Sequence, residues 1–127
     1  MRLNDSKIVA VIAVSDFAKA KEFYESKLGL TGGEDMGDGA ILYRGTEGTS
    51  VHVYSTPYAS ASEASRAGWE VDDLDATVDE LTSNGVSFEQ YDELKTNEKG
   101  IAELGAIRAA WCKDPDGNVL GFLQETS

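Results

Sequence analysis

Apolar and polar residues change period several times along the chain, and each change predicts an element boundary. Lys7–Val14 is almost continuously apolar, carried by Ile8, Val9, Val11, Ile12 and Val14. Such a β-branched run predicts a strand buried on both faces. Asp16 then offers a carboxylate to the free N–H groups of a first helical turn. Phe17, Ala20, Phe23, Tyr24 and Leu28 follow at helical spacing, with Lys19, Lys21, Glu22 and Glu25 on the opposite side. Gly29 suits the left-handed position that ends a helix.

Strand-like segments come next, punctuated by glycines. Leu30–Asp35 reads as a weak strand, Ala40–Arg44 as a firmer one, and Thr49–Ser55 alternates Val51 and Val53 against His52 and Tyr54. Residues 57–65 are rich in Ala and Ser and read as a linker. Arg66–Val71 predicts a strand, and Asp72-Asp73 leads a second helix with Leu74, Val78 and Leu81 on one side and Asn84-Gly85 at its end. Val86–Tyr91, Ile107–Cys112 and Val119–Gln124 read as strands, with polar Asp92–Gly100 after the first and the turn Asp114-Pro115-Asp116-Gly117-Asn118 before the last.

The order repeats. Val14-Ser15-Asp16-Phe17 has its counterpart in Val71-Asp72-Asp73-Leu74, and Lys27-Leu28-Gly29-Leu30 in Ser83-Asn84-Gly85-Val86. Each half reads strand, capped helix, glycine turn and about three strands, which predicts an α+β domain of two βαβββ modules. We expect one domain over residues 1–127: module one at about 7–56, the linker at 57–65, and module two at about 66–125.

Composition narrows the function. The 127 residues carry 11 Lys and Arg against 23 Asp and Glu, a net charge of −12. That charge opposes encounter with nucleic acid or an anionic membrane. No apolar run reaches the roughly 18 residues of a spanning helix, and the polar start Met1–Ser6 lacks a signal peptide's apolar stretch. The single thiol, Cys112, forms no internal disulfide and suits a reducing, cytoplasmic setting. It lies in an apolar run and is expected to be buried and inert. Neither a phosphate-binding Gly-rich loop nor a Gly-x-Ser-x-Gly elbow is present.

Over about Lys7 to Gln124 the chain resembles the vicinal oxygen chelate superfamily, the glyoxalase/bleomycin resistance protein/dioxygenase group. The resemblance rests on Val14-Ser15-Asp16, the Ala18–Tyr24 helix, Leu28-Gly29-Leu30, Trp69–Leu74, Asn84-Gly85-Val86 and, most specifically, Asp114–Asn118. It implies curled mixed sheets around a cavity, often at or near a subunit interface. It also implies a divalent metal held by up to four side chains from the first and last strands of each module.

Carried over position by position, those four places are Val9, His52, Arg66 and Gly121. Only His52 has a donor suited to a metal, and a catalytic zinc needs about three protein ligands. A shift of the alignment brings Glu47 or Glu70 into consideration, but a one-residue shift also turns a strand residue to the opposite face. No metal or other cofactor is therefore expected. By strand parity the cavity would be lined by Val9, Val11, His52, Tyr54, Arg66, Gly68 and Gly121. Trp111 either joins them or packs under a helix, and Tyr43, Trp69 and Arg108 are similarly open. The expectation is a homodimer that binds a small organic ligand, such as an antibiotic-like compound, at His52, Tyr54, Arg66, Trp111, Gly121 and Val9. The alternatives are a metal-dependent lyase, isomerase or dioxygenase using displaced ligands, metal-free chemistry at His52 or Arg66, and a regulatory or structural protein with an empty cavity.

Overall fold

The computed structural model describes residues 3–5 and 7–126. Strand β1 is Ala10–Val14, followed by helix α1, Phe17–Glu22. The Asp16 carboxylate caps α1 by accepting from the Lys19 N–H at 3.1 Å. The helix widens into a π turn over Phe23–Lys27, where Leu28 N–H donates to Phe23 O at 3.0 Å. Gly29 then leaves the helix at φ +77°, a conformation open to glycine for lack of a Cβ. Strands β2 (Glu34–Gly37), β3 (Ala40–Arg44) and β4 (Ser50–Ser55) complete a four-stranded sheet in the order β1-β4-β3-β2.

The second half repeats this plan. Strand β5 is Ser65–Glu70, and α2 is Leu74–Ser83, capped by Asp73 on Ala76 N–H at 3.0 Å. Strands β6 (Ala102–Leu104), β7 (Ile107–Lys113) and β8 (Val119–Glu125) form a second sheet in the order β5-β8-β7-β6. In each sheet the first and last strands run parallel and the other pairs antiparallel, so both sheets are mixed. The fold is α+β, with no closed barrel. The edge strands β1 and β5 lie against each other and form the seam between the sheets.

Register and burial together assign the faces. Ile12, Val14, Ile41, Tyr43, Val51 and Val53 turn to the helix-packed side of the first sheet and are buried. Leu120, Phe122, Ala110 and Cys112 do the same in the second sheet, beneath Leu74, Val78 and Leu81 of α2. Each large apolar side chain buried this way stabilises the fold by about 1.5–3 kcal/mol.

The first strand departs from the two-faced burial expected of Lys7–Val14. It begins at Ala10, Val11 is 56% exposed and Ile8 88% exposed. Helix α1 covers one side only, so a continuous apolar run yields alternating burial. The strand expected at Leu30–Asp35 forms later, at Glu34–Gly37. Val86–Tyr91 contributes one isolated bridge, Phe88 to Cys112, and the outer strand of the second sheet is instead β6.

Candidate functional site

The seam between the sheets has two ends, and they differ. At one end the Asp114–Asn118 turn, between β7 and β8, reaches across to the first half. Asp116 Oδ1 and Oδ2 both accept from Ser15 N–H at 3.0 Å, and Asn118 Nδ2 donates to Ala13 O at 3.0 Å. Asp114, 5% exposed, accepts at Oδ2 from Tyr24 Oη and Asn118 Nδ2, each at 2.8 Å. Its Oδ1 accepts from the backbone N–H groups of Asp116 and Asn118 at 2.9 Å. Burial, then the Asp114 charge and the hydrogen bond to it, push the Tyr24 phenol well above its ordinary pKa. Among the described residues, no buried side-chain polar atom lacks a partner.

At the other end lies a cleft of about 710 Å³. One side is the end of β3, the start of β4 and the turn between them, with Arg44, Val51 and Glu47; the other is β5 and the residues after it, with Trp69, Glu70 and Asp72. Leu30 and Tyr43 extend the apolar wall. Trp69 stacks on Phe122 with ring centres 5.5 Å apart and planes 16° from parallel. Tyr43 is 2% exposed, and its Oη donates to Glu25 Oε2 at 2.9 Å. Burial and that carboxylate hold the Tyr43 phenol protonated to unusually high pH. Arg44 is drawn to Glu34, Nη2 to Oε2 at 2.9 Å.

Of the residues singled out in the sequence, Gly68, Tyr43, Trp69, Glu47 and Glu70 line this cleft, and the six expected ligand contacts lie elsewhere. Val11, His52 and Leu42 are register neighbours, as are Ala13, Tyr54 and Ala40, so His52 and Tyr54 share the face of the first sheet turned away from α1. His52 is half-buried and Tyr54 is exposed. Gly68, Gly121 and Trp111 are register neighbours on the corresponding face of the second sheet. The Trp111 indole lies beside Gly121, where a Cβ would meet its Cδ1 at 3.4 Å, and Tyr91 packs edge-on against that indole at 5.6 Å. This answers the open question about Trp111, which faces away from α2; Trp69 and Tyr43 have the helix-packed parity, since they align with Phe122 and Val51.

Arg66 and Val9 fit that face less well. A register shift between Ser65 and Ala67 lifts Arg66 out of the ladder, and its Nη2 donates to Ser60 O at 3.3 Å in the preceding segment. Val9 precedes β1 and is 40% exposed. None of the six residues lines the 710 Å³ cleft. Sequence reasoning missed the cleft because parity within one strand says nothing about a gap between two sheets. Its signals in the sequence are Trp69, a large aromatic residue in a strand of small and charged neighbours, and the carboxylates Glu47 and Glu70.

The metal implied by the resemblance does not fit these residues. Val9 and Gly121 have no donor, Arg66 is cationic, and His52 stands alone. Among the described residues, no group of three or more His, Cys, Asp or Glu is placed to hold a metal ion. Cys112 is fully buried, and burial followed by the Asp114 charge pushes its thiol up to about 12, which suppresses the nucleophilic thiolate. Arg108, also open on sequence, is held in an ion-pair network, with Nη1 2.8 Å from Asp75 and Nε 2.8 Å from Glu103.

Among solved structures, a glyoxalase family protein from Bacillus anthracis is similar over 96% of both chains, with TM-score 0.74 and 15% identity. An antibiotic binding protein from Streptomyces sp. CB03234 is similar over 96% of this chain and 97% of its own, with TM-score 0.71 and 24% identity. A glyoxalase/bleomycin resistance protein from Catenulispora acidiphila DSM 44928 matches over 94% and 98%, with TM-score 0.69 and 23% identity. At these identities the likeness concerns the fold. No curated protein matches the sequence. No helix among the described residues is long and apolar enough to cross a membrane. The family model for the glyoxalase/bleomycin resistance protein/dioxygenase superfamily matches residues 8–122, nearly the whole chain and both of its sheets, and the protein belongs to that superfamily.

Proposed function

We propose that this superfamily member binds a small organic molecule without a metal, on the sheet face that carries His52, Tyr54, Trp111 and Gly121. Two chains would pair over that face to form a cytoplasmic homodimer, with Arg66 and Val9 at the margin of the site. The observation that carries the reading is the donor set: four positions that would hold a metal supply one ligand, His52. Three further features support it. Gly68 and Gly121 leave a strip of second-sheet backbone without side chains, flanked by the Trp111 indole, which suits a planar ligand. Val9, Val11 and Tyr54 leave apolar surface exposed at 40%, 56% and 39%, and a second copy would cover it. One structural relative is named an antibiotic binding protein.

The test begins with metal analysis of protein purified without chelators and then reloaded with Zn, Mn, Fe or Ni. Far less than one equivalent is expected. One metal per chain, lost in His52→Ala, would overturn the reading in favour of a metalloenzyme. A thermal-shift panel of bleomycin, mitomycin C and planar aromatic compounds follows. A ligand at about 100 times its Kd stabilises the native state by about 2.7 kcal/mol, a rise of several degrees in Tm. That rise is expected to shrink in Trp111→Ala and to accompany a dimer in sedimentation. A flat panel would favour a regulatory or structural role.

A further inference from the structure

The two ends of the seam occupy equivalent places in the repeat. Ala10 aligns with Val51 in the first sheet, and Ala67 aligns with Leu120 in the second. By that correspondence Glu47 takes the place of Asp116, and Asp72 takes the place of Ser15. At the closed end, the Asp116 carboxylate receives the Ser15 N–H. At the open end the matching groups are the Glu47 carboxylate and the Asp72 N–H, and the side chains of Asp72 and Glu70 bring two further carboxylates to the same cleft. Among the described residues no hydrogen bond joins the Gly45–Thr49 turn to Trp69–Asp72, and none of these three carboxylates belongs to an ion pair. The absence of a clamp leaves the 710 Å³ cleft.

We infer that this cleft is a second binding site, meeting the face that carries His52 and Trp111 at the Gly68 backbone, and that its ligand is an organic cation with an aromatic or aliphatic body. Leu30, Val51 and Trp69 supply an apolar and aromatic wall. An indole attracts a cation through the negative face of its ring. Glu47, Glu70 and Asp72 give the rim a net negative charge against the Lys7 ammonium, which lies beside Gly48 in the same turn. The one basic group of the wall, Arg44, is already paired with Glu34. A bare metal ion does not suit the cleft, because its carboxylates are not grouped as a metal-holding set. A net charge of −12 adds a field that draws cations toward the chain.

The two tryptophans make the test site-specific. Trp69 lines the cleft, and Trp111 lies on the opposite face. Their indole N–H signals in an NMR spectrum of the ¹⁵N-labelled protein are assigned with Trp111→Phe, then followed in the wild type during titration with benzyltrimethylammonium. A saturable shift of the Trp69 signal is expected, with the Trp111 signal unmoved. Neopentylbenzene, a neutral molecule of the same shape, is expected to bind more weakly. The double variant Glu47→Gln/Asp72→Asn, at exposed positions, is expected to weaken the cation by roughly tenfold without weakening the neutral molecule.

Three results would overturn the inference: no saturable movement of Trp69, equal midpoints for the charged and neutral molecules, or an unchanged cation midpoint in the double variant. Movement of Trp111 alone would place the cation on the other face and also overturn it, while leaving the proposed small-molecule function standing.

Discussion

Asp114 shows how much one residue can hold. Its two oxygens accept four hydrogen bonds, from Tyr24 Oη, Asn118 Nδ2 and the N–H groups of Asp116 and Asn118. Tyr24→Phe removes one donor and leaves three, so we expect a loss of about 1–2 kcal/mol. Asp114→Ala strands all four donors in a buried site, and roughly 3–5 kcal/mol is expected. Urea denaturation of the two variants measures the difference, and equal losses would show that Asp114 is not the hub. The motif Asp114–Asn118 was legible as a turn because Asp, Pro, Gly and Asn each favour turn geometry. Its hold on Tyr24, Ser15 and Ala13 was not legible, since those partners lie at least 90 residues away in sequence.

The helices show the other extreme, where local chemistry decides. Asp16 and Asp73 each accept a backbone N–H three residues on, as their sequence setting predicts. Asp16→Ala and Asp73→Ala are each expected to lower stability by about 1 kcal/mol, with Asn at either site recovering most of it. Thermal or urea unfolding of the four single variants checks this. Strands were less legible than helices. A helix satisfies its own backbone, whereas a strand exists only beside a partner. Ala102–Leu104 became a strand by pairing with Ile107–Ala109, while the alternating Val86–Tyr91 found a partner only at Phe88. The bulge at Arg66 has the same cause, because parity was counted from the sequence while register is set by the neighbouring strand.

The whole molecule is expected to lose stability in alkali before its surface groups explain it. Cys112, Tyr24 and Tyr43 are all buried, and in each the folded-state pKa lies above the ordinary value. A raised folded pKa means that the native state keeps protons the unfolded chain releases. The stabilisation is therefore complete below the unfolded pKa and declines as pH rises beyond it. The decline should begin near pH 8.5 from Cys112 and steepen near pH 10 from the two tyrosines. Urea midpoints between pH 7 and 11 measure it, and Cys112→Ala should remove the earlier phase. Iodoacetamide at pH 8 should leave native Cys112 unmodified and alkylate it in urea, which separates burial from any local opening.

The order of elements, the two helix caps, the internal repeat and the poverty of metal donors all came from the sequence. Each depends on residue types at short spacing, or on the chemistry of single side chains. Sequence parity also assigned His52 and Tyr54 to one face, because alternation along a strand is a local property. The tertiary structure alone decided which end of the seam closes. Closure at Ser15 and an open cleft at Asp72 depend on groups brought together from opposite halves of the chain. Spacing within a strand does not encode that distance: Asp116 becomes a clamp because the fold brings the Ser15 N–H to it, while Glu47, at the matching place in the repeat, receives no such donor across the seam among the described residues.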